Sequence, residues 1–244
     1  MQIRRRRLVL MRHGAVEYFD AEGNPFPPDE VPLTERGQAQ ARAAGETLAA
    51  NGIRVDRVIH SGLARTHATT LGVLAGGNYA LDSRRVESWP ELQEIRGGRL
   101  AAIPDDELRA AFVAPFEGPV PRDTPFLGGE TIGHLIDRVV PAIRRLLASD
   151  DWDTALLVLH GGVNRALLSW FLTGQEIFLG GLSQEPGCIN IIDAGDSPAS
   201  SLLRVMNYCP LDVLMSGPRV STMEHLLTQY RKLRARGKTQ LPLP

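Results

Sequence analysis

Two histidines stand at the same place in similar local sequences. His13 follows the apolar residues 8–11 in "LVLMRHG" and precedes Gly14, and His160 ends "TALLVLH" and precedes Gly161. A short apolar run without alternation is typical of a central strand in a parallel sheet. The carboxyl ends of neighbouring parallel strands border the usual ligand crevice of such sheets. We therefore expect the two histidines to meet in one site.

Two arginines could bring positive charge to this site. Arg12 directly precedes the first histidine, and Arg65 opens a helix after a turn in "HSGLARTHATT". A guanidinium beside a helix N-terminus suits phosphate. Gly14 and Gly161 would let the backbone approach closely and leave N–H groups for an anion. Because arginines in the same pocket repel divalent cations, we expect a phosphate site without a metal rather than a metal centre.

The elements that must hold these residues alternate along the chain. Apolar runs alternate with amphipathic stretches in a βαβα order, which predicts an α/β fold with helices on both faces of a largely parallel sheet. The first helix should begin after Thr34 as N-cap and stop at Gly52. Strands are predicted in "LVLM", "VDRVIHSG", "TALLVLHGG", "CINIIDA" and "LLRVMNY", and helices in "LARTHATTLGVLAGG", residues 132–147 and "VNRALLSWFL".

Residues 1–244 show no repeats and no obvious linker, so we expect a single domain. The Pro-rich stretch 100–127 holds Phe112, Phe116 and Phe126. We expect it to form a small insertion over the sheet edge, where it would shape the entrance to the site.

Composition narrows the class of protein. The chain has 244 residues, of which 43% are hydrophobic and 23% charged, and 27 Lys+Arg balance 28 Asp+Glu. This balance is typical of a soluble globular protein and gives no reason to expect nucleic acid or a membrane surface as the main partner. Cys188 and Cys209 fit reduced thiols in a cytoplasmic protein, with a bridge between them as the less favoured alternative. The short apolar run before Arg12 fits neither a signal peptide nor a membrane span.

Six ordered segments carry a resemblance to a known family. They are "RHG" at residues 12–14, "LTERGQAQA" at 33–41, "SGLARTHATT" at 61–70, "ELQEIRGG" at 91–98, "GGET" at 128–131 and "HGGVNRALL" at 160–168. In this order and spacing they resemble the histidine phosphatase superfamily, in its phosphoglycerate-mutase-like branch. The resemblance covers residues 8–168 and implies a phosphoglycerate-mutase-like three-layer α/β/α sandwich.

The resemblance also implies roles for individual residues. His13 matches the nucleophile that takes the phosphoryl group as phosphohistidine and passes it to water. Arg12 and Arg65 match the arginines that grip the phosphoryl oxygens, and His160 matches the second histidine, which donates to them. Such a cluster stabilises phosphoryl transfer by charge and position, so no cofactor is implied.

A carboxylic acid must protonate the leaving oxygen. The family's phosphatases have it in an "L-x-E-I" context, which maps to Glu94 in "ELQEIRGG", and Glu91 is the second choice. The chain departs from the family after "RHG", because Val16 and Phe19 stand where Thr and Asn are common, with Glu17 as the nearby polar substitute. It also lacks the "E-R-H-Y-G" form of the glycolytic mutases.

The first hypothesis is a metal-independent phosphatase that hydrolyses a small phosphomonoester. The second is a mutase that returns the phosphoryl group to another hydroxyl of its substrate, and the missing "E-R-H-Y-G" segment counts against it. A third is a low-activity binding or regulatory protein on the same fold, and a protein phosphatase is also open. The sequence leaves open whether the chain forms a homodimer.

Overall fold

The computed structural model describes residues 5–18 and 26–235. Its strands are β1 (Arg6–Arg12), β2 (Arg57–His60), β3 (Val86–Ser88), β4 (Pro119–Val120), β5 (Thr154–Leu159), β6 (Phe178–Leu179), β7 (Ile189–Ala194) and β8 (Leu202–Tyr208). The central sheet has the order β3-β2-β5-β1-β7-β8, and β4 pairs with β6 in a separate ribbon.

The central sheet is mixed, with its parallel part around β1 and β5. The neighbouring pairs β1 with β5, β5 with β2 and β2 with β3 are parallel. On the other side, β7 lies antiparallel to β1 and β8 antiparallel to β7. The prediction of a largely parallel sheet is confirmed. Arg12 at the end of β1 is in register with Leu159 at the end of β5, so the residues that follow both strands emerge at one edge.

Helices cover both faces of this sheet. They are α1 (Glu35–Ala50), α2 (Ala64–Gly76), α3 (Leu108–Val113), α4 (Ile132–Leu147), α5 (Gly161–Thr173) and α6 (Thr222–Ala235). Successive side chains of a strand point to opposite faces. Val9 and Met11 accordingly pack in a core with residues of α1 and α2, whereas Leu8 and Leu10 pack in a core with residues of α4 and α5. The predicted three-layer α/β/α sandwich is confirmed.

Local signals fix the ends of α1 as the sequence predicted. The Thr34 side chain accepts a hydrogen bond from the Gly37 N–H at 3.0 Å, which satisfies one of the free donors of the first turn. Past the other end, Gly52 adopts a left-handed conformation with φ 70°. The predicted strands in "CINIIDA" and "LLRVMNY" are present as β7 and β8.

Residues 100–127 hold α3, two 3₁₀ turns and β4. They pack against the C-terminal helix α6, where the rings of Phe112 and Tyr230 stack at 5.9 Å between centroids. Cys188 and Cys209 are free and buried, so the alternative of a bridge between them is wrong. Across residues 5–18 and 26–235, every helix is too short or too polar to cross a bilayer.

Candidate active site

The two histidines meet at the edge of the sheet, as their placement after β1 and β5 predicts. Their rings lie edge to face with 5.3 Å between centroids and an interplanar angle of 65°. Both side chains are almost completely buried, with 4% of His13 and none of His160 exposed.

The hydrogen bond at Nδ1 determines the tautomer of His13. The Nδ1 atom lies 2.8 Å from the carbonyl oxygen of Gly14, so in the neutral ring Nδ1 donates and Nε2 carries the lone pair. Burial lowers the pKa of His13 well below its usual 6.5, and the positive charges of Arg65 and Arg12 lower it further. His13 is therefore an uncharged imidazole near pH 7, which is the form that can act as a nucleophile.

A chain of hydroxyls orients His160. The Thr66 hydroxyl donates to the Leu63 carbonyl at 2.8 Å, so its 3.0 Å contact with Ser61 requires Ser61 to donate. The Ser61 oxygen must then accept from His160 Nε2, which lies 2.7 Å away. This leaves His160 Nδ1 unprotonated, and within the described residues it has no partner. Burial, with Arg65 next in effect, also lowers the pKa of His160 well below 6.5.

The guanidinium groups of Arg12 and Arg65 are each held through their Nη1 nitrogen. Arg12 Nη1 donates to the Gln184 carbonyl at 2.6 Å and to Thr222 Oγ1 at 3.0 Å, and Arg65 Nη1 donates to the Pro28 carbonyl at 2.7 Å. Arg12 Nε and Arg65 Nη2 are buried without a partner in the part of the chain that the structure describes. Buried donors of this kind favour an anion that accepts from them.

The two predicted phosphate-binding glycines differ. Gly161 is the first residue of α5 and lines the cavity over His13. The Gly14 N–H donates to Thr69 Oγ1 at 3.1 Å, so it is bonded within the protein in this structure, and a phosphate-binding Gly14 stays a prediction. Gly14 is also needed for close packing, because a Cβ there would lie 2.4 Å from the Gly37 carbonyl oxygen.

Glu94 and Glu91 lie in different surroundings. Both oxygens of Glu94 accept from the Gly162 N–H at 3.1 Å, and Glu94 borders the cavity with His13 and Arg12. Glu91 instead forms an ion pair with Arg145 at 3.0 Å, with 41% of its side chain exposed. The structure therefore places Glu94, and not Glu91, in the cavity that His13 lines.

The residues after "RHG", where the sequence departs from the family pattern, differ in their position relative to the cavity. Val16 forms a β-bridge with Leu33, and Glu17 is exposed and lies outside the cavity lining. Phe19 lies outside the described residues. Tyr18, which the sequence analysis did not single out, lines the cavity. Burial raises the pKa of its phenol, against the opposing charges of Arg12 and Arg65, so the hydroxyl keeps its proton and can donate.

The sequence did not predict three further polar residues of the cavity, which are Arg165, Ser221 and Thr222. Arg165 lies one turn into α5, and its guanidinium sits 4.9 Å from the centre of the Phe116 ring. Burial, with Arg12 next in effect, lowers the pKa of Arg165 to about 10, which still leaves it charged at neutral pH. Thr222, at the start of α6, touches Arg12. Arg165 lies in the "HGGVNR" segment, five residues after His160, and this closeness in sequence could have indicated a place in the site. No local pattern connects Thr222 to the site.

The cavity is small, and segments far apart in the sequence partly close it. It measures about 40 Å³, and its apolar wall comes from Ile95, Phe116, Phe126, Met223 and Leu226. The predicted role of residues 100–127 at the entrance agrees with the place of the two phenylalanines. A second cavity of about 260 Å³ lies on the other side of Glu94 and is lined by Arg65, Gln93 and Arg96.

The chain is similar to known proteins over most of its length. The family model of the histidine phosphatase superfamily (branch 1) matches residues 8–205. The adenosylcobalamin/alpha-ribazole phosphatase of Salmonella typhimurium is 31% identical over 207 residues, which cover 82% of this chain and 96% of that protein. A 2,3-bisphosphoglycerate-dependent phosphoglycerate mutase of Rhizobium etli is 32% identical over 170 residues, covering 66% of this chain and 77% of the mutase.

Solved structures show the same architecture. A mycobacterial glucosyl-3-phosphoglycerate phosphatase aligns with TM-score 0.64 at 24% identity, over 83% of this chain and 98% of that one. A putative alpha-ribazole-5'-P phosphatase from Escherichia coli aligns with TM-score 0.60 at 27% identity, over 83% of this chain and 96% of that one.

Proposed function

The chain belongs to the histidine phosphatase superfamily, and we propose that it is a metal-independent phosphatase that hydrolyses a small phosphomonoester through a phosphohistidine. One observation carries this proposal. Three buried nitrogens near His13 have no hydrogen-bond partner within the described residues. They are Arg12 Nε, Arg65 Nη2 and His160 Nδ1. The two arginine nitrogens are donors, and His160 Nδ1 becomes the third donor once it is protonated, which matches a phosphoryl group with three non-bridging oxygens.

In the first half of the reaction, His13 Nε2 attacks phosphorus and the bond to the leaving oxygen breaks. Arg12 and Arg65 hold the non-bridging oxygens. The charge of the bound phosphoryl group favours protonation of His160 at Nδ1, which then donates to it. Glu94 gives its proton to the leaving oxygen, so the alcohol departs neutral.

In the second half, the Glu94 carboxylate takes a proton from a water molecule, and the water oxygen attacks phosphorus. The bond between Nε2 and phosphorus breaks, which returns His13 to its neutral form and releases inorganic phosphate. Glu94 ends protonated, ready for the next substrate. The cationic cluster supplies the charge stabilisation that a metal ion supplies in other phosphatases.

Mutase activity is the second candidate, and the small, partly closed cavity favours it. Pockets for small organic ligands measure roughly 300–1,000 Å³, whereas the cavity over His13 measures about 40 Å³ and is bordered by Ser221 and Thr222. A cavity that closes over the phosphohistidine would protect it from water until another hydroxyl accepts the phosphoryl group. The relatives include mutases as well as phosphatases.

The test is a screen of the purified protein in chelator against phosphorylated metabolites, including 3-phosphoglycerate and its 2-isomer. Release of inorganic phosphate from one or more of them, lost in His13→Ala, supports the phosphatase. Interconversion of the two isomers without phosphate release supports the mutase. No turnover of any substrate supports a binding or regulatory protein. The buried free thiols Cys188 and Cys209 support the further proposal that the protein works in the reducing cytoplasm.

A further inference from the structure

The backbone that carries Glu94 is held by one guanidinium. Arg138 of α4 donates through Nη1 to the carbonyl oxygens of Glu91 and Gln93, at 2.7 and 2.6 Å, and through Nη2 to that of Glu94 at 3.1 Å. Three carbonyls within four consecutive residues thus accept from the same side chain. Arg138 is largely buried, with 23% of its side chain exposed.

Glu130 completes the arrangement from the other side. Its carboxylate accepts from Arg138 Nε at 2.7 Å and Nη2 at 3.0 Å, in a two-point contact. The same carboxylate accepts from the Arg96 N–H at 2.9 Å, and the Glu130 N–H donates to the Arg96 carbonyl at 2.8 Å. The pair of Arg138 and Glu130 therefore bonds to the backbone both before and after the Glu94 side chain.

This segment needs such support because regular structure does not provide it. After the 3₁₀ turn Pro90–Leu92, residues 93–99 belong to no helix or strand. Leu92 and Ile95 are buried in the core, but Glu94 between them must point towards Gly162. Apolar packing is non-directional, whereas a planar guanidinium fixes the directions of the carbonyls that it binds. A shift of about 1 Å in a catalytic group can slow a reaction about 100-fold.

We propose that Arg138, held by Glu130, is a positioning residue that aims the Glu94 carboxyl at the leaving oxygen. This inference rests on the proposed phosphatase function. Arg138 does not itself line the cavity over His13, and it touches Glu94 only at the backbone carbonyl. Its main effect should therefore be on the proton transfers that Glu94 performs. Burial is the largest cause of the lowered pKa of His160, the charge of Arg138 adds to it as the smallest of several causes, and Arg138→Lys keeps that charge.

The test compares leaving groups in single-turnover phosphorylation of the protein. A 4-nitrophenyl phosphate hardly needs a proton on its leaving oxygen, whereas an alkyl phosphate does. Arg138→Gln is expected to slow transfer from the alkyl phosphate about 100-fold and from the aryl phosphate less than about 5-fold. Arg138→Lys keeps the charge but not the fork of donors, and is expected to give a smaller loss with the same selectivity. Glu130→Gln should show this selectivity as well.

Arg145→Gln is the matched control. Arg145 lies on the same helix and contacts the same segment, but through the exposed Glu91 side chain. Both rates should match those of the unaltered protein. If Arg138→Gln does not fold, Arg138→Lys decides the question.

Two results would overturn the positioning role. One is that the Arg138 variant that folds slows transfer from both substrates equally, and the other is that Arg145→Gln shows the same selectivity. Absence of any phosphorylation of the unaltered protein would instead contradict the proposed function. Thermal unfolding of each variant separates a loss of stability from the selective loss of rate.

Discussion

Both carboxylate oxygens of Glu94 lie 3.1 Å from the backbone nitrogen of Gly162, in the first turn of α5. A Cβ at Gly162 would lie 2.6 Å from Glu94 Oε1 and 3.3 Å from Ile95 Cγ2. The absence of a side chain at residue 162 therefore allows the carboxylate to reach the start of the helix. Because α5 also follows His160 directly, this contact sets the distance between the candidate acid and the phosphoryl site.

The first prediction concerns this glycine. Gly162→Ala should displace the Glu94 carboxylate, because the far end of a flexible side chain moves more easily than the helix. We expect the hydrolysis of alkyl phosphates to fall at least about 10-fold, while thermal unfolding changes little. Gly181→Ala is the control, since a Cβ there meets nothing closer than 3.8 Å. Unchanged activity in Gly162→Ala would contradict the role of this contact.

The second prediction separates the two glutamates. Glu94→Gln should slow the hydrolysis of alkyl phosphates about 10²–10⁴-fold, because the amide cannot donate the proton of a carboxylic acid. The initial phosphorylation by 4-nitrophenyl phosphate should slow far less. Glu91→Gln should leave both rates unchanged, because the Glu91 carboxylate pairs with Arg145 at the surface. Steady-state and rapid-quench rates measure both effects, and the reverse order of losses would assign the acid to Glu91.

The third prediction concerns stability and pH. The pKa values of His13 and His160 are lowered well below 6.5 by burial and by neighbouring arginines. Below pH 6.5 the unfolded chain therefore binds protons that the folded protein does not, so the free energy of unfolding falls as the pH decreases. Above pH 6.5 this contribution to the pH dependence disappears.

Urea unfolding between pH 5.5 and 7.5 measures this dependence. Burial also lowers the pKa of His60, which adds to the same trend. His160→Gln removes one of these three groups, so its stability should fall less steeply towards low pH than that of the unaltered protein. The same slope in both proteins would show that His160 takes up protons equally in the folded and unfolded states.

The fourth prediction concerns Tyr18. Its phenol lines the cavity with Arg12 and stays protonated because burial raises its pKa. A hydrogen bond to a charged group contributes about 1.5–3 kcal/mol, so Tyr18→Phe should weaken the binding of vanadate or phosphate about 10-fold or more. Tyr79→Phe is the control, because the Tyr79 hydroxyl donates to the Ile53 carbonyl outside the cavity. Equal affinity in Tyr18→Phe and the unaltered protein would exclude Tyr18 as a phosphate ligand.

Local patterns predicted the parts of the site that strand ends define. The apolar runs before His13 and His160 indicated buried neighbouring strands, and buried parallel strands bring their carboxyl ends together. Thr34 and Gly52 similarly marked the ends of α1, because capping depends on residues next to the helix. The turn before α2 likewise marked Arg65 as a candidate anion ligand. The resemblance to the family added Glu94, whose place in the site no local pattern shows.

Contacts between distant segments were not predictable in this way. Thr222 bonds to Arg12 across 210 positions of the chain, and Arg138 reaches the Glu94 carbonyl across 44. Hydrophobic periodicity predicts that a helix such as α4 buries one face, but not which backbone its arginine will bind. The partner of the Gly14 N–H was not predictable for the same reason, because it is Thr69 of α2.

The most direct test of the account is the phosphoryl group itself. The protein, freed of metal by chelator, is mixed with a labelled phosphomonoester, quenched in alkali within one turnover and digested for peptide mapping. We expect an acid-labile, alkali-stable phosphoryl label on His13, which disappears in a chase with unlabelled substrate and is absent from His13→Ala. Hydrolysis that continues in His13→Ala, or a label that resides on another residue, would contradict the phosphohistidine mechanism.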